Sequence, residues 1–270
     1  MGQRIEPSEV FKVFWPILIA SIFFSKNKWI KKQDWKILLG LSLFVFALLL
    51  RQPDFGTVGI CTLTLAVILF CFGLKWRYIF FGTLTVVPLL SLLIYLEPYR
   101  YKRFVSFLDP WSDPSQNGFQ VIQSLLGYYS GGLFGQGLGQ GQAKLFFLPE
   151  AHTDFTLAVL GEEMGYIGFI IVLLLFGYIV FRGLQVSTRA RSPFAQMVAI
   201  GLTTNFALSV IINVGVTLGM LPTKGLALPF LSYGGSSLVS SCLLIGLLLS
   251  IDRESGGLVK SPRRKRKATS

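Results

Sequence analysis

Asp154 stands at the end of Leu148-Pro-Glu-Ala-His-Thr-Asp-Phe155, just before a long apolar run and two residues after His152, the single histidine. A carboxylate half out of water beside an apolar side chain gains the basicity that a general base for a hydroxyl needs. The plainer reading is a helix N-cap, with Thr153 or Asp154 accepting main-chain N–H bonds and favoured by the helix dipole. The two uses are compatible. Further along, Gly161-Glu-Glu-Met-Gly165 puts Glu162 and Glu163 inside the same apolar run. On one continuous helix Glu162 would share the face of Asp154 approximately and lie about 12 Å deeper. Acids at membrane depth are costly and mark ion paths, substrate contacts or buried basic partners.

Other groups could handle anionic substrates. Pro7-Ser8-Glu9-Val10-Phe11-Lys12 reads as a helix start with Glu9 and Lys12 at i, i+3, either a structural ion pair or a cation or phosphate contact. Arg100, Lys102, Arg103 and Lys144 add positive charge to the longest polar connection. The segment Gly131-Gly-Leu-Phe-Gly-Gln-Gly-Leu-Gly-Gln-Gly141 lacks the preceding strand and the Gly-Lys-Ser/Thr ending of a nucleotide loop, but its main-chain N–H groups could cradle a lipid-linked phosphate. The run from Leu221 to Ser237 has the irregular composition of a re-entrant loop, with Ser232 and Ser236 as candidate substrate contacts. A hydrolase relay of Ser232, His152 and Asp154 is disfavoured, because a near-adjacent His and Asp on one short stretch line up poorly.

The elements that must position these groups follow from composition. The 270 residues are 52% hydrophobic and only 14% charged, with 24 Phe and a mean hydropathy of +0.61. A soluble domain carries about 25% charge. Disorder is excluded by the hydrophobicity, and a soluble globule of this size has too little interior for so much apolar surface. The expected fold is all-α: a polytopic membrane protein with seven spans, at about 8–24, 36–50, 56–74, 78–96, 155–181, 193–220 and 236–251. Residues 1–251 form one transmembrane domain, and 252–270 a basic tail. Cys61, Cys71 and Cys242 lie in apolar runs without metal spacing and read as buried small hydrophobes.

Most of the 25 basic residues fall in 25–36, 75–77, 182–191 and 252–270, which should face the cytoplasm. The N-terminus and the connection at about 97–154 are then outside, and the C-terminus inside. A short helix at 120–129 is expected on the surface of that loop. An outside N-terminus with no signal peptide implies further helices ahead of it. The Lys260–Lys267 cluster suits topology or anionic lipid, and no nucleic-acid partner is expected.

Seven motifs stand in order: Pro7-Ser8-Glu9 with Lys12, Gln52-Pro-Asp-Phe-Gly-Thr57, Ser130-Gly-Gly-Leu-Phe-Gly135, Leu148–Phe155, Gly161-Glu-Glu163, Asn213-Val-Gly-Val216 and Leu228-Pro-Phe-Leu-Ser-Tyr-Gly-Gly-Ser-Ser237. Along nearly its whole length the chain resembles the SEDS family (shape, elongation, division, sporulation) of FtsW, RodA and SpoVE. Leu221-Pro-Thr-Lys-Gly225 and Leu228-Pro-Phe-Leu231 are similar to its division branch. The resemblance implies a ten-helix fold of which this chain would begin at the fourth helix. It departs in having Glu6 where Gln is usual and Gln136 where Lys is frequent.

The implied activity is polymerisation of lipid II into glycan strands at the bacterial cytoplasmic membrane. Asp154 would be the base that takes the proton of the acceptor sugar's 4-hydroxyl. The donor would be a glycan on undecaprenyl pyrophosphate, and the partners a class B penicillin-binding protein and other divisome proteins. The charge of the leaving pyrophosphate would be offset by basic side chains or by a divalent cation, magnesium or manganese, whose ligands the sequence leaves unknown. Lys12 with Glu9 is the pair among them that matches a family motif. A lipid II flippase, suited by Glu162, Glu163 and helix-breaking glycines, and a division scaffold are the competing functions.

Overall fold

The computed structural model describes residues 6–24, 32–52, 54–78, 80–82, 84, 88, 95, 105–112, 114, 118–141, 153–223 and 225–256. Every regular element among them is helical: α1 (Pro7–Phe24), α2 (Lys32–Arg51), α3 (Phe55–Cys71), a 3-10 turn at Pro110–Ser112, α4 (Phe119–Gly131), α5 (Thr156–Arg189), α6 (Pro193–Thr217) and α7 (Gly235–Glu254). Helices α1, α5, α6 and α7 are long and apolar enough to cross a membrane, and α3 is a shorter apolar helix of 17 residues. The expected span at 78–96 lies largely outside the described residues.

Helix α6 is the centre. It packs against α1, α3, α4, α5 and α7, and Met197, Leu202 and Phe206 on it are almost fully buried. Its start is fixed by Ser192, whose hydroxyl accepts the Ala195 N–H at 3.1 Å, with Pro193 in the first turn. Helix α3 starts the same way, with Asp54 accepting from the Thr57 N–H at 2.9 Å.

In α1, Pro16 has no N–H, so the carbonyl four residues earlier, on Lys12, loses its helical partner. Asn205 of α6 donates its amide Nδ2 to that carbonyl. One residue before the proline, the fully buried Trp15 donates its indole N–H to the Cys61 carbonyl of α3 at 3.0 Å. Two polar bonds to main-chain carbonyls thus fix α1 against the centre.

The structure corrects the sequence reading at α5. Residues 156–189 are not one straight helix: Gly165 has φ 66 and ψ −170, splitting them into a short segment and a long one. Phe155 rather than Thr153 or Asp154 occupies the N-cap, with no side-chain cap bond. The break lies beyond Glu162; the shared face and depth inferred for Asp154 and Glu162 fail instead because Asp154 sits in the turn before the helix begins.

Candidate functional site: a mouth around Asp154

The starts of α1, α3, α5 and α7 and the end of α6 converge on one end of the bundle. Asp154 lies there, partly buried, in a turn before α5. Its surroundings are set by α6 and the connection 218–234. Asn213 of α6, 1% exposed, donates Nδ2 to the Asp154 carbonyl at 3.1 Å and to the Leu226 carbonyl at 3.0 Å. Ser232 donates its hydroxyl to the Thr153 carbonyl and accepts the Leu228 N–H at 2.7 Å, with Thr156 Oγ1 3.4 Å away. Beneath, Phe155 and Ala158 pack with Val216. A Cβ placed on Gly225 would stand 3.7 Å from Asp154 Oδ2, so the carboxylate lies along bare main chain.

The glycine-rich segment fills the break in α5. Gln136 and Gly137 donate their N–H groups to the Glu162 and Glu163 carbonyls, each at 3.0 Å. In return the Tyr166 and Ile167 N–H groups bond the Gly132 and Leu133 carbonyls at 2.9 and 3.2 Å. The break would otherwise strand carbonyls above it and amides below it, and the loop satisfies both. Gly135, at φ 81, sits so close that a Cβ would overlap the Glu163 carbonyl. The expected phosphate cradle is therefore corrected at these positions, because their amides are committed to α5.

Helix α4 leads into this loop and is docked rather than loose on the surface. Ser124 donates to the Thr217 carbonyl at 2.7 Å, and Tyr128, whose ring meets Phe169 edge-on, donates to Thr217 Oγ1 at 3.1 Å. Burial pushes the Tyr128 hydroxyl's pKa up, partly opposed by that bond to Thr217.

Glu9 and Lys12 pair at 2.6 Å with both side chains buried, and Ser240 reaches the second carboxylate oxygen at 3.5 Å. Beside them Asn205, Ser209, Ser237 and Ser241, together with apolar Val13 and Phe206, line a cavity of about 20 Å³, room for about one water. Ser236 accepts the Glu6 N–H at 3.0 Å, joining the starts of α1 and α7. Glu162 is 3% exposed, with Ser130 Oγ at 3.5 Å.

Of the predicted site residues the structure gathers Asp154 and Ser232 at one point, and Glu9 and Lys12 at another, with Ser236 between the ends of α1 and α7. Glu162 belongs to the glycine clasp. Arg100, Lys102, Arg103, Lys144 and His152 lie outside the described residues. Asn213 was not among the predicted site residues, although it opens a quoted motif; a buried amide near the end of an apolar helix was the signal for it.

Comparison with known proteins decides the family. The family model described as "Cell cycle protein", of FtsW, RodA and SpoVE, matches residues 2–256. The chain belongs to the FtsW/RodA/SpoVE family. Among relatives, the probable peptidoglycan glycosyltransferase FtsW of Geobacter metallireducens is 40% identical over 95% of this chain and 69% of its own length. The stage V sporulation protein E of Bacillus subtilis is 40% identical over 93% and 69%. The chain thus spans about seven tenths of these relatives.

Among solved structures, one reported for the coordination of polymerization and crosslinking by a peptidoglycan synthase complex superimposes with a TM-score of 0.76 at 27% identity, covering 94% of this chain and 72% of the other. The rod-shape-determining protein RodA of Thermus thermophilus gives a TM-score of 0.63 at 27% identity, covering 93% and 66%. The SEDS resemblance read from seven motifs is borne out, as is the all-α, multi-pass membrane fold.

Proposed function

We propose that Asp154 is the general base of a peptidoglycan glycosyltransferase and that the mouth around it faces the outside of the bacterial cytoplasmic membrane. The chain is a peptidoglycan glycosyltransferase of the FtsW/RodA/SpoVE family, like its relatives from Geobacter. The observation that carries the role of Asp154 is its placement: a partly buried carboxylate in a turn at the bundle end, fixed through its own main chain and that of Thr153.

In this reading Asp154 takes the proton from the acceptor sugar's 4-hydroxyl as that oxygen bonds to the donor's anomeric carbon. The bond from that carbon to the pyrophosphate oxygen breaks, the lipid pyrophosphate leaves, and the configuration inverts. Lipid II is the acceptor, and a glycan on undecaprenyl pyrophosphate is the donor. The orientation, with the C-terminus cytoplasmic, follows from the basic segments. A class B penicillin-binding protein is the crosslinking partner, by likeness to the synthase complex, and other divisome proteins join through the division branch.

Among the described residues no three of His, Cys, Asp and Glu gather as a metal site, and Glu9 spends one carboxylate oxygen on Lys12. A magnesium or manganese ion would supply positive charge against the leaving pyrophosphate.

The test is the protein with its crosslinking partner in liposomes, given labelled lipid II. Glycan ladders should form and fall about 10²- to 10⁴-fold in Asp154→Asn. Ladders of full intensity in that variant sink the assignment. Lipid translocation without any ladder would favour a transporter.

A further inference from the structure

We infer that Asn213 is a positioning residue for Asp154, holding the carboxylate in register with the connection 218–234. The inference rests on the reading of Asp154 as the base. Both amide hydrogens of Asn213 are used, one on the Asp154 carbonyl and one on the Leu226 carbonyl. The side chain therefore fixes the distance between the turn that carries the base and the main chain that passes Asp154 Oδ2 at Gly225.

The orientation of the amide has one solution. Turned over, its oxygen would face two carbonyl oxygens. As it stands, Oδ1 is buried with no hydrogen-bond partner. A buried acceptor left unpaired costs about 1–3 kcal/mol of desolvation, so the two donor bonds hold the side chain in place against a penalty on its other atom. Asn205, eight residues earlier on the same helix, shows the structural use of such an amide: it replaces the N–H that Pro16 lacks. No proline or helix break accounts for the carbonyls that Asn213 serves. They lie in two irregular segments, which Asn213 bridges from a third element, beside the direct contact that the Ser232 hydroxyl makes from one segment to the other.

A base must stand within hydrogen-bond reach of the proton it takes, and a displacement of about 1 Å can cost about 100-fold in rate. Asn213 does not contact the reacting atoms. Its loss should lower the rate of the chemical step and leave substrate binding intact.

The test uses the protein with its crosslinking partner in liposomes and lipid II as substrate. Asn213→Leu keeps the approximate shape and removes both donors. It should lower kcat about 10- to 100-fold with KM for lipid II within about twofold. Trp15→Phe, which loses the indole bond to Cys61 midway along α1 and α3, should be destabilised yet keep its kcat. If Asn213→Leu does not fold, Asn213→Ser serves, because its hydroxyl can turn back to the helix's own carbonyl but is too short to bridge both segments. It should show the same split.

A wild-type kcat in either folded variant overturns the inference. So does a raised KM at unchanged kcat, or a loss of kcat matched by Trp15→Phe. Asp154→Asn is measured alongside. If it is inactive while Asn213→Leu is at full rate, positioning fails and the base stands; if Asp154→Asn is active, the base reading itself falls.

Discussion

The main chain leaves helical geometry at two places near the mouth, and the protein satisfies the freed groups in opposite ways. At the break in α5, main chain answers main chain: the loop 132–137 and the residues around Gly165 exchange four hydrogen bonds with no side chain involved. At Thr153 and Asp154, side chains do the work, since Asn213 and Ser232 reach the carbonyls from other segments. The first arrangement depends on side chains being absent, the second on particular ones being present. Alanine therefore damages both for contrary reasons, by adding a Cβ to one and by deleting polar atoms from the other.

The largest effect on stability is expected at the clasp. At φ 66, Gly165 is where a Cβ is strained, and one built there would press into the Gly135 N–H and the Leu133 carbonyl, both main chain. Strain of this kind costs about 1–3 kcal/mol before any overlap is counted. Gly165→Ala should sharply reduce the folded fraction, followed by thermal unfolding of the detergent-solubilised protein. An unchanged midpoint would mean that the clasp tolerates side chains, and the contrast drawn above would collapse.

Ser232→Ala should act more gently. It takes the acceptor from the Leu228 N–H, while the Thr153 carbonyl keeps the Thr156 hydroxyl at 3.2 Å, a cost of about 1–3 kcal/mol if that N–H stays dry and less if water enters. The mark of the side-chain arrangement is locality. Hydrogen exchange at Leu228 should accelerate while exchange at Gln136 and Gly137 stays slow. Equal acceleration at both places would show that the two regions are one cooperative unit.

What the sequence disclosed follows the range of the interactions. Local ones were legible: the i, i+3 spacing of Glu9 and Lys12 became a 2.6 Å pair, and the short helix expected at 120–129 is α4 at Phe119–Gly131. Asp154 was singled out because an acid before an apolar run is conspicuous in a chain with 13 Asp and Glu. Non-local ones were not. The break at Gly165 could not be inferred from Gly161-Glu-Glu-Met-Gly165, since a glycine within an apolar run is compatible with a helix until a distant loop supplies replacement partners. Asn213 meets Asp154 from 59 positions away, and nothing in the spacing specifies which carbonyl a buried amide will find. Ser232 was singled out from the irregular composition of residues 221–237, but that its hydroxyl meets the Thr153 carbonyl from 79 positions away was beyond the reach of spacing.

The smallest effect is a pH dependence at the start of α1, which the clasp should lack. Glu6, at the start of α1 where its N–H meets Ser236, has its carboxyl pKa raised above the usual value by partial burial, by the nearby charges of Glu9 and Asp54, and against the pull of Lys12. Between the usual carboxylate value and the raised one, the folded chain binds more protons than the unfolded chain. Stability from this group is therefore full in acid and declines as pH rises through the folded value, and the penalty remains at neutral pH. Glu6→Gln should raise the unfolding midpoint slightly at neutral pH and leave it unchanged below the usual carboxylate range. The loss caused by Gly165→Ala should be the same at both, because the bonds of the clasp contain no titrating group. A Glu6→Gln gain that persists in acid would assign the effect to packing instead of charge, and a pH-dependent Gly165→Ala loss would show that the clasp is not made of main-chain bonds alone.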